Sequence, residues 1–424
     1  MASKPRILLY SHDTYGLGHL RRSLAIAGQV AKDIHGAHQL LITGSMVAGA
    51  FGLPPRLDMI KLPALSKRST GEYKARTLPL SLAQTLAWRE QMILDAAKTF
   101  QPDLLLVDKV PAGVHGELLP TLRFLKTWSP ETRLVLGMRD IEDGAETTLK
   151  QWRAAGVPQL LEEVYDHILL YGQRDVFDPV STYQLSSQVS DKIFECGYLG
   201  RPLTGTRSRE AIRRELGCED LPLVVVTVGG GGDGYEIIKN YLEMLNAWEG
   251  EVPFYSLIVT GPLMAQGKRA LLRPRTNRLT LLEFTPDLFS YMAAADMVVG
   301  MAGYNTACEI LSLKTRAVLI PRVHPREEQL IRTECLTRRN WAHMLHPDAL
   351  SATTLRDTIT TGLASPRPDI TLDLNGLPRA SQTISAILER RVLPVARPQT
   401  VNKINSVVKN YAVYSAHVDA YTVP

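Results

Sequence analysis

A run of glycines stands where an apolar segment ends and a helical segment begins. The stretch reads Val228-Gly-Gly-Gly-Gly-Asp-Gly234, and its first glycines are Gly229, Gly230 and Gly231. Glycine lets a backbone approach a phosphate closely, and a following helix offers free N–H groups at its positive end. A flexible turn is the alternative, but consecutive glycines are costly in conformational entropy, so the run favours phosphate binding.

A second loop of this kind reads Asp296-Met-Val-Val-Gly-Met-Ala-Gly-Tyr-Asn-Thr-Ala-Cys-Glu309. We expect Asn305 or Thr306 to cap the helix that follows Gly303, so that the first helical N–H groups face a ligand. Glu309 comes one turn later, and its carboxylate could accept hydrogen bonds from ribose hydroxyls. A glutamate that only complements the helix dipole is the alternative, and this residue alone would favour it.

A third polar loop follows the next apolar run and reads Pro321-Arg-Val-His-Pro-Arg-Glu-Glu-Gln329. It would lie at the carboxyl end of a strand, where open α/β sheets bind their ligands. Glu328 and Gln329 are the candidate ligand contacts. An ordinary solvated loop fits the residues of this segment equally well.

A histidine and a carboxylate of the first half could provide general base catalysis. His19 ends a glycine-containing loop, and Asp108 ends the apolar run that precedes it. Histidine is suited to removing a proton from a hydroxyl group near neutral pH. A histidine with no proton role is the alternative for His19. Asp140 and His115 are rivals of Asp108, and His12 is the second choice as the base.

Three segments of the second half together resemble the donor half of MurG-like glycosyltransferases. They are Glu283-Phe-Thr-Pro-Asp-Leu288, Ala302-Gly-x-x-Thr-x-x-Glu309 and His324-x-x-x-Glu-Gln329, in the order and spacing of that family. The family transfers N-acetylglucosamine from its UDP donor during peptidoglycan synthesis. In the first half, Gly16-x-Gly18-His19 is similar to the start of the family's acceptor domain.

This resemblance implies an α/β fold of the GT-B type, with two doubly wound Rossmann-like domains facing a central cleft. It also implies an inverting transfer from a nucleotide-sugar donor, such as UDP-GlcNAc, with no cofactor and no obligatory metal. The acceptor would be a hydroxyl of a glycan, a lipid-linked sugar or a small molecule. The sequence has no Asp-x-Asp pair, which agrees with a metal-free mechanism.

The resemblance also implies roles for individual residues. Glu309 would bind the ribose, Gln329 the sugar and Thr306 the phosphates, and the backbone of Thr285 would bind the base. The family's paired glutamines are Glu328-Gln329 in this sequence.

Residues 53–77 are basic and carry Arg56, Lys61, Lys67, Arg68, Lys74 and Arg76. This segment could meet an anionic lipid or a polyanionic acceptor, although a solvated loop is the simpler interpretation. Arg68, with Gly16 and Gly18, is a candidate for the acceptor-side loop.

Two other functions remain open. A nucleotide-sugar 2-epimerase would have the same two-domain architecture, but we find no specific acid/base cluster for chemistry at the sugar's C2. A non-catalytic nucleotide-sugar-binding protein would keep the donor motifs without the base, and His19 favours the enzyme.

Short apolar runs alternate with helical stretches, which predicts βαβ units and parallel sheets. The runs are Ile7–Tyr10, Leu40–Thr43, Met59–Leu62, Leu104–Val107, Leu134–Gly137, Ile168–Tyr171, Leu223–Val228, Phe254–Val259, Leu279–Leu282, Met297–Gly300, Ala317–Ile320 and Ala342–Leu345. A Gly- and Pro-rich stretch, 196–202, suits a hinge. We therefore predict an acceptor-side domain at 1–203, a donor domain at 204–395 and a tail of unassigned role at 396–424.

Composition limits the alternatives. The 424 residues suit two domains, and 45% hydrophobic with 21% charged residues is typical of a globular protein. The net charge of +5 suits an anionic ligand but is too weak to indicate nucleic acid.

The four cysteines form no C-x-x-C pair, which predicts a reducing compartment. With no signal peptide or spanning run, we expect a cytoplasmic protein, with peripheral contact at the inner membrane face as an option.

Overall fold

The computed structural model describes residues 4–12, 18–67 and 73–390. The predictions for Gly16, for Arg68 and for the tail at 396–424 therefore lie outside the described residues. The description that follows concerns only the three described ranges.

A strand overlaps every apolar run that the sequence indicated and leaves at most one residue uncovered at either end of a run. The strands are β1 (Arg6–Ser11), β2 (His38–Thr43), β3 (Leu57–Lys61), β4 (Leu65–Lys67), β5 (Tyr73–Ala75), β6 (Leu104–Asp108), β7 (Arg133–Arg139), β8 (His167–Tyr171), β9 (Ile193–Glu195), β10 (Leu223–Thr227), β11 (Tyr255–Val259), β12 (Leu279–Leu282), β13 (Met297–Gly300), β14 (Arg316–Leu319) and β15 (His343–Met344). The sequence did not indicate β4, β5 and β9, because three residues are too few to show a period.

Helices connect these strands. They are α1 (Gly18–Asp33), α2 (Leu82–Phe100), α3 (Leu119–Trp128), α4 (Ala145–Ala154), α5 (Val157–Gln159), α6 (Pro179–Thr182), α7 (Ser187–Ser190), α8 (Arg209–Leu216), α9 (Tyr235–Asn246), α10 (Gln266–Ala270), α11 (Leu288–Ala294), α12 (Tyr304–Leu313), α13 (Glu328–Thr337), α14 (Ala352–Ala364) and α15 (Gly376–Leu388). None of the helices in the described ranges has both the length and the apolar character needed to cross a membrane.

The long helix α2 shows how local sequence fixes an element's ends. The Ser81 hydroxyl accepts a hydrogen bond from the Gln84 backbone N–H at 3.2 Å, and the Gln84 side chain accepts one from the Ser81 N–H at 3.0 Å. This capping box satisfies two backbone donors that the first turn leaves open. The helix ends where Gln101 adopts a left-handed conformation with φ of 47°.

The chain forms two compact units. The first consists of Met1–Tyr198 together with Asn375–Pro424, and the second is Leu199–Leu374. Helix α15 belongs to the first unit, where it packs against α1. The predicted limits of 1–203 and 204–395 place α15 in the donor half instead, because a sequence order does not show that a late helix returns to pack on an early one.

The first unit is built on a seven-stranded parallel sheet with the order β3-β2-β1-β6-β7-β8-β9. The chain moves outward from β1 to β3 and later returns to place β6 on the other side of β1. The order of strands therefore reverses between β1 and β6, and Ser11 lies opposite Asp108 at the carboxyl ends of these two strands. Such reversal points are where open α/β sheets bind ligands.

The second unit repeats this plan with a six-stranded parallel sheet in the order β12-β11-β10-β13-β14-β15. The reversal lies between β10 and β13, where Thr227 is opposite Gly300. All these strands end at one edge of the sheet, since the pairing of each strand with the next is parallel. The two doubly wound sheets confirm the predicted α/β Rossmann-like class.

A network of buried charged and polar side chains connects several elements of the first unit. Arg89 of α2 donates two hydrogen bonds of 2.6 Å to the Glu117 carboxylate, and both side chains are almost fully buried. The Tyr10 hydroxyl donates to the same carboxylate at 2.5 Å. These contacts tie β1, α2 and the segment before α3 to a single carboxyl group.

Removing the Glu117 carboxylate should leave the Arg89 charge buried without its partner. We expect Glu117→Ala to lower the free energy of unfolding of the first unit by about 3–5 kcal/mol. Hydrogen exchange of the β1 and β6 amides, which open with that unit, measures the change.

The matched control is Glu131→Ala, because Glu131 pairs with Arg390 on the surface of the same unit. Its loss should cost less than about 1 kcal/mol. Equal effects of the two substitutions would contradict the structural role of the buried pair.

Candidate active site

The structure brings His19 and Asp108 into contact at the reversal point of the first sheet. His19 lies in the first turn of α1, and Asp108 is the last residue of β6. The His19 Nδ1 atom is 2.5 Å from Asp108 Oδ2. Because an ionised carboxylate only accepts hydrogen bonds, the His19 proton is assigned to Nδ1 in the neutral ring, and the lone pair is left on Nε2.

Arg22 is a third member of this cluster. Its Nε and Nη2 atoms each donate a hydrogen bond of 2.7 Å to the Asp108 carboxylate, one to each oxygen. Arg22 follows His19 by three residues, so both side chains leave the same face of α1. The Arg22 guanidinium also approaches the ring, with Nη2 3.1 Å from His19 Nδ1.

The ionisation of Asp108 reflects its neighbours. Burial raises the pKa of the Asp108 carboxyl, but the charge of Arg22 and the hydrogen bonds from Arg22 and His19 outweigh it and hold the pKa well below its usual range. The neighbouring Tyr171 has its pKa raised by burial and by the Asp108 charge. Asp108 is therefore a permanent anion beside a neutral phenol at any ordinary pH.

The alternative acid/base residues are placed differently. His12 follows β1, and its ring meets the His19 ring edge-on with centroids 5.4 Å apart. Asp140 is fully buried and accepts hydrogen bonds from the Tyr198 hydroxyl and the Ile141 backbone N–H. His115 packs edge-on against the ring of Tyr73, with centroids 4.8 Å apart. His12 is the rival whose ring contacts the His19 ring among the residues that the structure describes.

The glycine run of the second unit forms the loop between β10 and α9. Gly229 and Gly231 have φ of 62° and 91°, which glycine adopts without strain. A Cβ on Gly231 would lie 2.2 Å from the Thr260 carbonyl oxygen, whereas the space around Gly229 is open. Gly230 accepts a hydrogen bond from the Leu263 N–H at 2.8 Å. The close approach of the loop that follows β11 therefore requires glycine at position 231. The space around the exposed position 229 imposes no such requirement.

Helix α12 starts earlier than the sequence suggested. Its N-cap is Gly303, no side chain caps it, and Asn305 and Thr306 already lie in its first turn. The expectation that Asn305 or Thr306 caps the helix is therefore wrong. The extended backbone of Gly303 serves as the cap, and glycine is accepted there almost as well as the polar capping residues.

Glu309 lies in the second turn of α12, with only 5% of its surface exposed. Its carboxylate is 3.7 Å from a guanidinium nitrogen of Arg201. Arg201 is about half exposed and stacks over the Phe289 ring, 4.5 Å from its centroid. Glu309 is therefore a nearly buried carboxylate, and Arg201 approaches it from the start of the second unit.

Glu328 and Gln329 begin helix α13, and both are nearly buried. Arg322, which follows β14, connects them to the glycine loop. Its guanidinium lies 3.3 Å from Glu328 and 3.2 Å from Asp233, and its backbone N–H donates to the Gln329 side chain at 3.2 Å. The structure thus brings the glycine loop and the Glu328-Gln329 pair together.

Thr285 lies apart from this group, in the loop after the outer strand β12. It is half buried, and its hydroxyl accepts a hydrogen bond from the Asp287 backbone N–H at 3.2 Å. Thr285 shares with that group the edge of the sheet at which the parallel strands end.

Sequence reasoning missed the arginines of both groups. Arg22 could have been found from its position three residues after His19 on a helix. Arg322 comes three residues after the end of a strand at the predicted ligand-binding edge, which is a usable signal. The contact of Arg201 with Glu309 had no signal, because more than a hundred residues separate them. Within the described part of the chain, no three His, Cys, Asp or Glu side chains are grouped to hold a metal ion.

Comparison with protein families assigns part of the second unit. Residues 224–371 match the glycosyltransferase family 28 C-terminal domain. These residues include the glycine loop, Glu309 and Gln329. The match confirms the predicted resemblance of the second half to MurG-like glycosyltransferases.

Two curated relatives carry the same name, UDP-N-acetylglucosamine–N-acetylmuramyl-(pentapeptide) pyrophosphoryl-undecaprenol N-acetylglucosamine transferase. The protein from Rubrobacter xylanophilus is 30% identical over 155 residues, which are 36% of this chain and 43% of that protein. The protein from Symbiobacterium thermophilum is 26% identical over 311 residues, or 70% of this chain and 80% of that protein. The chain thus matches less than half the length of the Rubrobacter protein.

The fold also occurs in a solved relative. The crystal structure of MurG from Acinetobacter baumannii superposes with a TM-score of 0.51 at 15% sequence identity, covering 96% of this chain and all of that one. An identity this low shows a shared fold and nothing about the substrate. The predicted GT-B class is thereby confirmed.

The glycine loop offers a test of its geometry. Gly231→Ala should lower the free energy of unfolding of the second unit by about 2–4 kcal/mol, because its Cβ would overlap the Thr260 carbonyl in a left-handed backbone. Gly229→Ala is the control, with a similar φ but open space around it, and should cost about 1 kcal/mol. Urea unfolding measures both, and equal costs would contradict the described packing.

Proposed function

We propose that this chain, whose residues 224–371 form a glycosyltransferase family 28 C-terminal domain, transfers a sugar from a nucleotide-sugar donor to an acceptor hydroxyl. The observation that carries the proposal is the position of Glu309, Glu328 and Gln329 within that domain. All three are nearly buried polar side chains on helices that start at the carboxyl edge of the second sheet. Nearly buried groups at that edge are suited to binding a polar ligand.

The donor in this proposal is a UDP-sugar such as UDP-GlcNAc. The Glu309 carboxylate accepts hydrogen bonds from the ribose hydroxyls, and Gln329 with Glu328 binds hydroxyls of the sugar. The glycine loop and the first turn of α12, with Asn305 and Thr306, offer backbone N–H groups to the diphosphate. The backbone of Thr285 binds the base.

The proposed chemistry is an inverting displacement. The acceptor hydroxyl gives its proton to Nε2 of His19, and its oxygen attacks the anomeric carbon. The bond from that carbon to the diphosphate breaks, and the nucleoside diphosphate leaves with the electron pair. Asp108 fixes the His19 ring through Nδ1 and stabilises the imidazolium that forms. Helix N-termini stabilise the leaving diphosphate, and the mechanism needs no obligatory metal.

The acceptor class follows from the relatives and is also a proposal. The names of the Rubrobacter and Symbiobacterium proteins specify a lipid-linked acceptor. A glycan, a lipid-linked sugar or a small-molecule hydroxyl would suit the same chemistry. The basic segment 53–77 is the candidate for a peripheral contact with an anionic membrane on the cytoplasmic side. Its described part includes Lys61, Lys74 and Arg76.

The experiment that tests the function is incubation of the full chain with radiolabelled UDP-GlcNAc, with and without candidate acceptors. Transfer or slow hydrolysis that releases UDP supports a glycosyltransferase. Formation of an epimer would identify a 2-epimerase, and binding without reaction would identify a non-catalytic protein. A thermal-shift panel of UDP-, GDP- and dTDP-sugars identifies the donor, because a bound ligand raises the melting temperature.

Substitution of the ribose-binding carboxylate is the first test of the site. Glu309→Ala should weaken UDP binding by about tenfold to a hundredfold, since it removes a charged acceptor worth about 1.5–3 kcal/mol. Calorimetry with UDP measures the dissociation constant. Glu334→Ala, at an exposed position on α13, is the control and should bind UDP as the wild type does. An unchanged dissociation constant for Glu309→Ala would remove this residue from the donor site.

Substitution of the base is the second test. His19→Ala should lower kcat by about 10²–10⁴-fold and abolish the acidic limb of the pH–rate profile, because a positioned base contributes a factor of that size. UDP affinity should stay nearly unchanged. His35→Ala, at an exposed histidine after the same helix, should keep both kcat and the pH profile. A wild-type kcat for His19→Ala would transfer the role to His12 or leave His19 a structural residue.

A further inference from the structure

Arg22 is a buried cation to which the proposed chemistry assigns no role. Only 4% of its surface is exposed. Its guanidinium holds both oxygens of Asp108 at 2.7 Å and lies 3.1 Å from His19 Nδ1. A buried arginine usually has a structural partner, and Asp108 is that partner here. The additional approach to the histidine ring means that Arg22 also acts on the electrostatics of His19.

Two opposite charges therefore act on the same ring. The Asp108 carboxylate, 2.5 Å from Nδ1, favours a protonated His19. The Arg22 cation, 3.1 Å from that same nitrogen, disfavours it. In low dielectric surroundings neither effect is well screened, so the balance between them decides the pH at which the ring loses its second proton.

The fork of Arg22 also fixes geometry. A carboxylate held by two parallel N–H···O bonds cannot rotate without breaking one of them. Asp108 Oδ2 is therefore presented to His19 Nδ1 in one orientation, which selects the tautomer with the lone pair on Nε2. The low pKa of Asp108 is consistent with a carboxylate that stays ionised in this arrangement.

We propose that Arg22 is a positioning residue that holds Asp108 by a bidentate ion pair and opposes the addition of a second proton to the His19 ring. The proposal rests on the role of His19 in the proposed function. Arg22 acts through Asp108 and His19 and does not touch the substrate. A structural role alone would make Arg22 important for folding but would leave the pH dependence of His19 unchanged.

Other titratable groups adjoin the cluster. His12 faces the His19 ring from the end of β1. Tyr171 of β8 lies near Asp108, and its raised pKa keeps it neutral. Helix α15, which packs on α1, contributes Arg379; burial raises the pKa of the Cys196 thiol, and the Arg379 charge offsets part of that rise. His12 is thus the neighbour whose own protonation could overlap that of His19, and the experiment must separate the two.

The first measurement is an NMR titration of the full chain labelled with ¹³C at histidine Cε1. The His19 and His12 signals are assigned from their loss in His19→Gln and His12→Gln. Arg22→Met should move the His19 midpoint up by roughly one to three pH units, because the Asp108 charge then acts without opposition. Arg22→Lys, which keeps the charge but not the fork, should shift the midpoint by less than Arg22→Met does.

A second pair of variants covers the case in which Arg22→Met does not fold. Asp108→Asn removes the anion, and Asp108→Asn combined with Arg22→Met removes both charges. The His19 midpoint should be lower in the single variant than in the double variant, since only the single variant retains the cation. Equal midpoints in these two proteins would overturn the proposed effect of Arg22 on His19.

Kinetics then connect the titration to the reaction. In Arg22→Met the acidic limb of the kcat profile should move up by the same number of pH units as the NMR midpoint, while UDP affinity stays unchanged. Arg22→Lys should restore most of the position of the limb but not the full kcat. A limb that does not move with the NMR midpoint would overturn the proposed role in catalysis.

The two proposals can fail separately. If the midpoint of His19 responds to Arg22 as expected but no sugar transfer is found with any donor, the proposed function fails and the electrostatic control of His19 remains. If transfer occurs and Arg22→Met folds with an unchanged His19 midpoint, the proposed function stands and Arg22 is a structural residue only.

Discussion

Every strand in both large sheets runs parallel to its neighbours, and this constraint decides where polar chemistry can be placed. Parallel strands buried on both faces must be apolar along their length, so polar side chains are confined to the loops at the strand ends. Where the strand order reverses, the two adjacent loops diverge and leave room for a ligand. Asp108 in the first unit and the Gly229–Gly231 loop in the second both lie at such a reversal.

Burial of charge at these edges imposes a second requirement. A carboxylate removed from water is costly unless a cation and hydrogen bonds compensate it. The first unit meets this requirement twice with an arginine fork: Arg22 holds Asp108, and Arg89 holds Glu117. The two forks differ in their neighbours, because Glu117 faces a tyrosine hydroxyl and Asp108 faces a histidine ring. A histidine ring, unlike a phenol, ordinarily exchanges a proton near neutral pH.

At the carboxyl edge of the second sheet, the loop between β10 and α9 is built from glycines. Gly231 is required by the close approach of the Thr260 backbone, so part of the glycine run serves packing inside the protein. Gly229 is exposed, and no atom lies within 4 Å of the place that a Cβ would take there. Arg322 joins Asp233 of this loop to Glu328, and a phosphate or sugar at this place would meet charges of both signs. The selectivity of the site would therefore depend on how these pairs rearrange around the donor.

The sequence alone determined the position of most strands, the class of fold and the resemblance of the donor half, because continuous apolar runs and motif spacing are local properties. It also singled out His19, Asp108 and Glu309. Tertiary structure decided which charges those side chains meet. Three of these contacts join residues that are far apart in the chain. They are the bidentate pairing of Arg22 with Asp108, the contact of Arg201 with Glu309, and the packing of α15 in the first unit. Such contacts follow from packing, which no local pattern encodes. The first residue of α12 was also decided by the tertiary structure. The helix starts at Tyr304, with the extended backbone of Gly303 as its cap, and not after a side-chain cap from Asn305 or Thr306 as the sequence predicted.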